Sequence, residues 1–452
     1  MRYFLLTLGC QMNLSDSERI HSVLKEMGFT QTDVEDEADL IGLIACSVRQ
    51  KAIDKVYNKI AHWNREKNHR NILTFISGCI LPSDKQRFLK LFDIVFPMSE
   101  VHTFPELISS NGIVTPASLA FSQAGIPSNK NIFSLWDIAP DYQSEYEAFV
   151  PIQNGCDKFC TFCAVPYTRG REVSRPSEEI LTQVKDLIEK GYKSITLLGQ
   201  NVNSYGLDRG GKEIDFSKLL EKVGEMGLAS GKDFWVYYTS PHPRDMTKEV
   251  IDAMAKYPHI AKQVHLPLQS GDDKILVKMN RKHSVERYSE IVDYIREKLP
   301  EATLFTDIIV GFTGESDSQF ENTVQAMRKF AYNMAYIAQY SPRPGAASFR
   351  WDDTVPLQTK KDRFHILSEI LIETASLSNE KLVGKTLKVL VTGPDRKPGF
   401  FKGLTEGKIN IRFQASQWSL IGHIIEVKVT SSSGLSLQGE MAPVVITEMA
   451  ID

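Results

Sequence analysis

The first 110 residues alternate apolar runs with amphipathic stretches. The apolar runs predict three buried strands, over residues 3–8, 40–45 and 71–77. The stretches between them predict two helices, over residues 15–27 and 48–66, the first with Asp16 and Glu18 in its first turn and Gly28 at its end. Because strands and helices that alternate in this order usually form a parallel sheet with covering helices, we predict an α/β domain over residues 1–110.

A second region, beginning near Phe149, repeats this alternation. Apolar runs predict its strands over residues 149–153, 194–198, 234–238, 263–268, 304–310 and 334–340. Helix-like segments lie between them, for example over residues 178–190 and 284–298. Six β/α units in series predict a partial parallel barrel over residues 149–378, with function at the carboxyl ends of its strands. Polar clusters follow those ends, at residues 200–203, 239–242, 269–271, 311–315 and 341–344.

The last region differs from both, because its strands are short and are separated by Gly and Pro turns. This pattern predicts a small antiparallel β-barrel over residues 381–446. Between the first two regions, residues 111–148 contain Pro116, Pro127 and Pro140 together with several Ser, Asn and Gly. We predict a linker there, because these residues interrupt any regular period. The predicted fold class is therefore α/β, with a terminal β-barrel.

Composition and charge restrict the class of protein but do not identify its function. A chain of 452 residues with 42% hydrophobic and 24% charged residues is typical of a soluble globular protein with two or three domains. The apolar runs are too short to span a bilayer and the N-terminus has no signal-peptide pattern, so we expect a cytoplasmic protein with no membrane partner. The formal net charge of −3 argues against a protein coated with positive charge, but local basic patches, not the total, decide phosphate contacts.

One basic patch lies in the terminal region. Between Lys381 and Arg412 there are eight basic residues and only two acidic ones, and Phe400 stands among them. Basic groups near aromatic faces suit a nucleic-acid platform. We expect Lys397 and Lys402 of this patch to contact RNA.

Three of the six cysteines, Cys156, Cys160 and Cys163, stand close together with the spacing C-x3-C-x2-C. Three thiolates can hold three irons of a cubane iron–sulfur cluster, which leaves the fourth iron open to bind and reduce a small molecule. A zinc site would need a fourth Cys or His ligand at ordinary spacing, and the nearest following histidine is His242. The spacing therefore favours a cluster over zinc.

The other three cysteines, Cys10, Cys46 and Cys79, each follow a strand predicted for the first region. The carboxyl ends of parallel strands meet at one edge of a sheet, where ligands bind in open α/β sheets. These thiols could therefore converge and hold a second cluster. One buried cysteine per strand end is also commonplace, and on the residues alone both interpretations stay open.

Basic and aromatic side chains follow the central cysteines. Arg169, Arg171 and Arg175 form either a solvated loop face or a grip on a substrate phosphate. Tyr167 either stacks on a base or packs against the protein. Asp307 lies inside a predicted strand, so it should be hydrogen-bonded if it is buried.

These residues carry a resemblance to a known family. The run from Cys156 to Arg175 resembles the radical S-adenosylmethionine methylthiotransferases, most closely their MiaB branch, which acts on tRNA. Further segments are similar to motifs of that family, at residues 9–13, 16–18, 45–49, 77–79, 266–271, 279–281 and 307–312, and the terminal barrel resembles a TRAM domain. The chain departs from the family at Ile44, Ala45 and Thr313, where Asn, Thr and Pro are usual, and these departures leave the cysteines untouched.

The resemblance implies an enzyme that adds a methylthio group to carbon 2 of N6-isopentenyladenosine, next to the anticodon in the anticodon stem-loop of tRNA. It implies two molecules of S-adenosylmethionine and two [4Fe-4S] clusters, one on each group of three cysteines. We expect a monomer that receives electrons from an external donor. The candidate contacts to S-adenosylmethionine at the barrel mouth are Gln200, Asn201, Ser240, Gln269 and Asp307. The candidate contacts to RNA are Tyr167, Arg169, Arg171, Arg175, Lys397 and Lys402.

Other functions remain possible at this point. Within the same family, the substrate could be threonylcarbamoyladenosine in tRNA or an aspartate of a ribosomal protein, although the run over residues 167–171 favours the MiaB branch. A protein of a different class, an iron–sulfur RNA-binding sensor, would need no cofactor pocket at the barrel mouth. An electron carrier would have little use for so large a barrel and a basic terminal domain.

Overall fold

A five-stranded parallel sheet forms the N-terminal region of the computed structural model, which describes residues 1–46, 50–113, 115 and 133–442. The sheet order is β2-β1-β3-β4-β5. Its strands are β1 (Arg2–Thr7), β2 (Thr30–Gln31), β3 (Leu40–Cys46), β4 (Leu73–Cys79) and β5 (Ile94–Val95). Its helices are α1 (Gln11–Glu26), α2 (Gln50–Glu66), α3 (Pro82–Phe88) and α4 (Phe104–Ser110). Apolar clusters on both faces of the sheet bury β3 and β4 completely, as expected of parallel strands covered by helices.

Two details of this region differ from the sequence prediction. Helix α1 begins at Gln11, four residues earlier than predicted, so Asp16 and Glu18 do not lie in its first turn and that prediction is wrong. Cys46 and Cys79 are the last residues of β3 and β4 instead of following them. Residues 47–49, where the second helix was predicted to begin, lie outside the described residues.

The predicted linker is described only in part. Residues 114 and 116–132, which include Pro116 and Pro127, lie outside the described residues. The rest of it contains α5 (Phe133–Trp136) and the start of β6 (Glu147–Pro151). The predicted domain boundaries, at residues 110, 148, 378, 381 and 446, stay predictions.

The central region is the predicted partial barrel. Its six parallel strands follow one another in chain order and form two sheets, β10-β9-β6 and β11-β12-β13, joined by a single bridge between Val236 and Ile260. The strands are β6, β9 (Ser194–Leu198), β10 (Trp235–Tyr238), β11 (Gln263–His265), β12 (Thr303–Val310) and β13 (Met334–Gln339). A small hairpin, β7 (Gln153–Asn154) and β8 (Val173–Ser174), encloses the central cysteines.

Helices cover the outer face of this barrel. They are α7 (Ser177–Glu189), α8 (Phe216–Ser230), α9 (Lys248–Lys256), α10 (Asp273–Lys278), α11 (Val285–Lys298), α12 (Asp317–Phe330) and α13 (Leu357–Glu380). The short helix α6 (Val165–Arg169) follows the central cysteines and contacts the N-terminal sheet instead. Ile195 and Leu197 of β9 point outward into the large core that these helices share, so Thr196 between them faces the barrel interior. In the part of the chain that the structure describes, no helix is long and apolar enough to cross a membrane.

The terminal region is a closed five-stranded barrel in the order β14-β15-β16-β18-β17. Its strands are β14 (Thr386–Pro394), β15 (Phe400–Thr405), β16 (Asn410–Gln414), β17 (Ile424–Ser433) and β18 (Ser436–Met441). The prediction of a small β-barrel is confirmed, but β16 and β18 pair in parallel. An odd number of strands that alternate in direction cannot close into a ring without one parallel pair.

The N-terminal sheet is docked on the mouth of the partial barrel. Met12, two residues after Cys10, packs against Phe149 of β6 and Leu198, the last residue of β9. The carboxyl edge of the N-terminal sheet therefore faces the carboxyl end of the barrel strands. The terminal β-barrel lies at the opposite end, where the Thr303 side chain donates a hydrogen bond of 2.8 Å to the Gly407 carbonyl.

Candidate functional site

The fold brings Cys10, Cys46 and Cys79 together at the carboxyl edge of the N-terminal sheet. Cys46 and Cys79 are direct register partners in the neighbouring strands β3 and β4. Cys10 lies at the N-cap of α1, just after β1, and β1 is the other neighbour of β3. The convergence that the strand ends suggested is therefore present in the structure.

Asn13 connects this group to the backbone around it. Its Nδ2 donates to the carbonyls of Leu8 (2.9 Å) and Ala45 (2.7 Å), which lie at the ends of β1 and β3. Its Oδ1 lies 4.0 Å from Sγ of Cys10 and 3.5 Å from Sγ of Cys79. One buried amide thus fixes two strand ends and faces two of the three thiols.

Glycine is required beside these thiols because the backbones approach closely. A Cβ on Gly78 would lie 2.5 Å from the Ala45 carbonyl oxygen, and Gly78 has φ +105°. A Cβ on Gly9 would lie 2.9 Å from Cβ of Cys46. Both positions would clash with any larger residue, which would push the cysteine-bearing strand ends apart.

Arg169 of the central region reaches into this group. Its Nε donates a hydrogen bond of 2.9 Å to Sγ of Cys79, and its Nη2 lies 2.5 Å from Oδ2 of Asp16. The side chains of Arg169 and Asp16 are 5% and 3% exposed. Burial alone would lower the pKa of Arg169, but attraction to the Asp16 carboxylate outweighs it and the pKa is raised, so the guanidinium is charged.

The central cysteines lie in one loop between β7 and α6. The Cys156 amide donates to the Gly170 carbonyl (3.2 Å), the Cys163 amide donates to the Cys160 carbonyl (2.9 Å), and the Val165 amide donates to Sγ of Cys163 (3.5 Å). Residues 278–280 of the barrel region also bond to this loop, for example through the Met279 carbonyl, which accepts from the Thr161 amide (3.1 Å), and the three thiols lie on one short stretch of chain.

Arg281 is the counterpart of Arg169 at the central group. Its Nη1 donates to Sγ of Cys160 (3.4 Å) and its Nη2 to the Pro267 carbonyl (3.0 Å). Its Nε is buried and has no hydrogen-bond partner among the described residues. A cationic donor with a free N–H beside a thiol suits a negatively charged group bound there.

The thiols fit iron–sulfur clusters in their chemistry. Burial raises the pKa of Cys79 to about 12, of Cys156 to about 11 and of Cys163 to about 12, so cluster binding must release their protons. Among the described residues, no group of three or more His, Cys, Asp or Glu side chains is arranged to hold one metal ion. A cubane does not need such a group, because its thiolates bind different irons and lie further apart than around a single zinc ion.

The barrel mouth holds buried oxygen atoms that have no hydrogen-bond partner in the described part of the chain. They belong to Gln153, Thr196, Asn201 and Gln269. Leaving a buried acceptor unpaired costs about 1–3 kcal/mol, so such a set is typical of a site that a ligand completes. The amino and hydroxyl groups of S-adenosylmethionine are donors of the required kind.

The predicted cofactor contacts divide into two sets in the structure. Asn201 and Gln269 belong to the unpartnered group, and Oε1 of Gln200 accepts from the Gly155 amide (2.5 Å) beside the first central cysteine. Ser240 is exposed, and Asp307 lies 2.7 Å from Nε2 of His265. Asp307 is thus hydrogen-bonded, as expected of a carboxylate inside a strand.

Sequence analysis missed several residues of this site. Asn13 and Arg281 lie within motif runs that the family resemblance had singled out, although neither residue had received a role. Lys158 and Asp245 form a buried ion pair of 2.7 Å, and Asp245 also accepts from Asn201 (2.9 Å). Sequence spacing gives no signal for that pair, because 87 residues separate its members.

The predicted RNA contacts differ in their exposure to solvent. Arg171 and Tyr167 are exposed, and Arg171 pairs with Asp157 at 2.7 Å. Arg169 and Arg175 are buried, the latter paired with Glu179 at 3.0 Å, which argues against the predicted phosphate contacts of both. In the terminal barrel, Lys397 and Lys402 are exposed, as an RNA contact requires.

Three family models match the chain in succession. They are described as an uncharacterized protein family, UPF0004, over residues 2–97, as the radical SAM superfamily over residues 150–327, and as the TRAM domain over residues 380–442. Each match coincides with one of the three regions of the fold.

Relatives match over nearly the whole length. The chain is 35% identical to a tRNA-2-methylthio-N(6)-dimethylallyladenosine synthase of Clostridium novyi, over 97% of this chain and 96% of that protein. It is 36% identical to the protein of the same name in Hahella chejuensis, over 97% of this chain and 98% of that protein. Among solved structures, a radical S-adenosylmethionine methyltransferase from Kitasatospora setae shares the fold, with a TM-score of 0.54 and 13% identity over 76% of this chain and 75% of the other.

Proposed function

The chain belongs to the family of tRNA-2-methylthio-N(6)-dimethylallyladenosine synthases, and from that membership we propose that its six cysteines hold two [4Fe-4S] clusters at a common chamber. It is a radical S-adenosylmethionine enzyme that adds a methylthio group to carbon 2 of N6-isopentenyladenosine, next to the anticodon of tRNA. The TRAM domain over residues 380–442 is in accord with a tRNA substrate. When bound, the clusters and S-adenosylmethionine supply the electron, the radical chemistry, the sulfur and the methyl group.

One contact carries the proposal, the hydrogen bond from Arg169 to Cys79. Arg169 ends α6, the helix that begins two residues after Cys163. A side chain at the end of that helix touches a thiol of the N-terminal group at 2.9 Å. The two groups of cysteines are therefore linked through six residues of chain and one hydrogen bond, and a base placed between them can reach both.

The barrel mouth serves as the proposed site for S-adenosylmethionine. Gln153, Thr196, Asn201 and Gln269 offer acceptors to its amino and hydroxyl groups, and Arg281 leaves a donor beside Cys160. Met12 packs over Phe149 and Leu198 and covers the mouth on one side, which reduces the access of water to the chamber. Radical chemistry needs this exclusion, because a reactive species exposed to water or oxygen would be lost.

The tRNA should approach over Tyr167 and Arg171, which are exposed on the rim of the chamber. Loop nucleotides unstack at low cost, so an anticodon loop can extend one base into a deep site. Lys397 and Lys402 lie on the terminal barrel, within the proposed footprint of the backbone. We further propose a monomer that works in the cytoplasm, where its tRNA substrate is found, and takes electrons from an external donor.

The test uses protein reconstituted with iron and sulfide under anaerobic conditions. Two clusters predict about eight irons per chain, and one cluster predicts about four. With reductant and S-adenosylmethionine, the protein should form 5′-deoxyadenosine. With tRNA that carries N6-isopentenyladenosine, mass spectrometry should show the 2-methylthio product.

Three outcomes would contradict separate parts of the proposal. A content of about four irons per chain would contradict the presence of the second cluster. Absence of 5′-deoxyadenosine would contradict the enzyme and favour an RNA-binding sensor. A methylthio product on tRNA carrying threonylcarbamoyladenosine, with none on the isopentenyl tRNA, would contradict the substrate.

A further inference from the structure

Among the described residues, each group of cysteines has a buried arginine that donates to a sulfur, but these two arginines differ in origin. Arg281 and Cys160 both belong to the barrel region, at 3.4 Å. Arg169 belongs to the barrel region, whereas Cys79 belongs to the N-terminal sheet, and their contact is shorter, at 2.9 Å. The N-terminal group therefore receives its cationic donor from the other domain.

The guanidinium of Arg169 is held in place on several sides. Its Nη2 bonds Asp16 at 2.5 Å and the Oδ1 of Asn13 at 3.2 Å, and its Nη1 lies 3.4 Å from the Oδ1 of Asn154. These bonds use the Nη nitrogens and leave Nε to Cys79. Because a planar guanidinium cannot move one N–H without the others, the donor at the sulfur is fixed in direction.

A fixed donor at a cysteine sulfur has a defined electronic effect. Reduction adds negative charge to an iron–sulfur cluster, and a hydrogen bond to a ligand sulfur stabilises the more negative state, so the reduction potential rises. Low exposure strengthens this effect, because little water screens the charge. Asp16 offsets part of the positive charge of Arg169 but does not remove the N–H from the sulfur.

We propose that Arg169 is a positioning residue that raises the reduction potential of the cluster bound by Cys10, Cys46 and Cys79, through its N–H bond to Cys79. This inference rests on the proposed function, since it requires the second cluster. The same side chain fixes the N-terminal sheet against the barrel by its pair with Asp16, so the potential depends on the docking of the two domains.

The test is a redox titration of the full-length reconstituted protein, followed by electron paramagnetic resonance. Arg169→Gln should shift the potential of the N-terminal cluster downward and leave that of the central cluster unchanged. A second measurement, on the full-length triple variant C156A/C160A/C163A with and without Arg169→Gln, separates the signals of the two clusters. Arg169→Lys keeps the charge but loses the directed Nε bond, so its shift should be smaller and in the same direction.

Asp16 requires its own variant, because Arg169→Gln leaves a buried carboxylate without its partner and can disturb folding. The double variant Asp16→Asn/Arg169→Gln removes both charges and should still show the lower potential. Arg328→Gln is the control, since Arg328 is half exposed in a surface pair with Glu373 at 2.9 Å, and it should change neither potential.

The outcomes distinguish this inference from the function beneath it. A wild-type protein with about four irons would contradict the two-cluster function and this inference with it. About eight irons, with an N-terminal potential that is unmoved or higher in both the Gln and the double variant, would contradict the inference alone. Equal downward shifts of both clusters would also contradict it, because they would indicate a general structural effect.

Discussion

The two groups of cysteines reach similar arrangements by opposite routes. The central group lies within eight residues of one loop, which is held by its own backbone bonds and by bonds to residues 278–280. The N-terminal group comes from three strand ends spread over 70 residues, and only the register of β1, β3 and β4 brings its members together. The comparison shows that one site is built on a single segment of chain and the other on the whole sheet, so damage to the sheet should affect them unequally.

Removing one thiol from each group should have the largest effect and should separate their roles. Cys160→Ala and Cys79→Ala should each lose about half of the iron and all of the methylthio product. Only Cys160→Ala should also abolish 5′-deoxyadenosine, because the proposed function assigns cleavage of S-adenosylmethionine to the central group. Iron analysis and liquid chromatography with mass spectrometry measure all three quantities.

The division of roles would be lost if the two variants behaved alike. Loss of 5′-deoxyadenosine in Cys79→Ala, with four irons retained, would mean that the N-terminal group takes part in cofactor cleavage. A full iron content in Cys79→Ala would mean that this thiol binds no cluster.

The central group was the part of the site that the sequence predicted best. Its C-x3-C-x2-C spacing predicts the ligands without any knowledge of the fold, because neighbours in a short loop stay neighbours in space. The strands of the partial barrel were also predictable, since buried parallel strands appear as continuous apolar runs. The ends of β9 agree with the prediction, and those of β12 to within one residue.

The parts that sequence could not supply depend on partners from distant elements. Arg169 was predicted at the RNA surface because it stands in a basic run, and its burial follows from Asp16, on another domain. Asn13 lies in a run similar to a family motif but had no predicted role, since its role depends on the separation of the ends of β1 and β3. Charge clustering and hydrophobic periodicity describe one segment at a time. They therefore cannot predict contacts between distant segments, which depend on the three-dimensional fold.

The dependence on the sheet can be tested with a backbone change next to the N-terminal group. Gly78→Ala should lower the free energy of unfolding by about 2–3 kcal/mol, because it combines a left-handed φ with a Cβ that meets the Ala45 carbonyl. The midpoint of urea unfolding of the metal-free protein measures the loss. In the reconstituted variant, iron should be lost from the N-terminal group first.

Gly112→Ala is the matched control, because Gly112 also has a positive φ, of +91°, but faces open space. It should cost less, about 1–2 kcal/mol, from conformation alone. Equal losses in the two variants would show that the close approach of β3 and β4 does not stabilise the site.

Arg169 and Arg281, which donate to different groups of cysteines, should also differ in their effect on activity, and this effect should be smaller than that of removing a thiol. Arg281→Gln should slow formation of 5′-deoxyadenosine about tenfold, which corresponds to the loss of one charged hydrogen bond of about 1.5 kcal/mol. Arg169→Gln should leave this rate nearly unchanged in the absence of tRNA, because its sulfur contact lies on the other group. Initial rates at saturating S-adenosylmethionine measure the difference, and a larger effect of Arg169→Gln would reverse the assignment of the two arginines.

The smallest effect should come from the terminal barrel, which lies at the end of the partial barrel opposite the cysteines. Lys397 lies 4.1 Å from the Phe400 ring and is exposed, so it can reach a phosphate of the tRNA backbone. Lys397→Gln should weaken tRNA binding two- to threefold and lower the slope of log affinity against log salt by about one, the value for one lost phosphate contact. Lys185→Gln, an exposed lysine on α7, serves as the control and should change neither quantity. Cleavage of S-adenosylmethionine without tRNA should stay the same in both variants, since a residue that acts only on substrate binding leaves both cluster sites intact. An unchanged salt slope for Lys397→Gln would place the RNA on another face of the molecule.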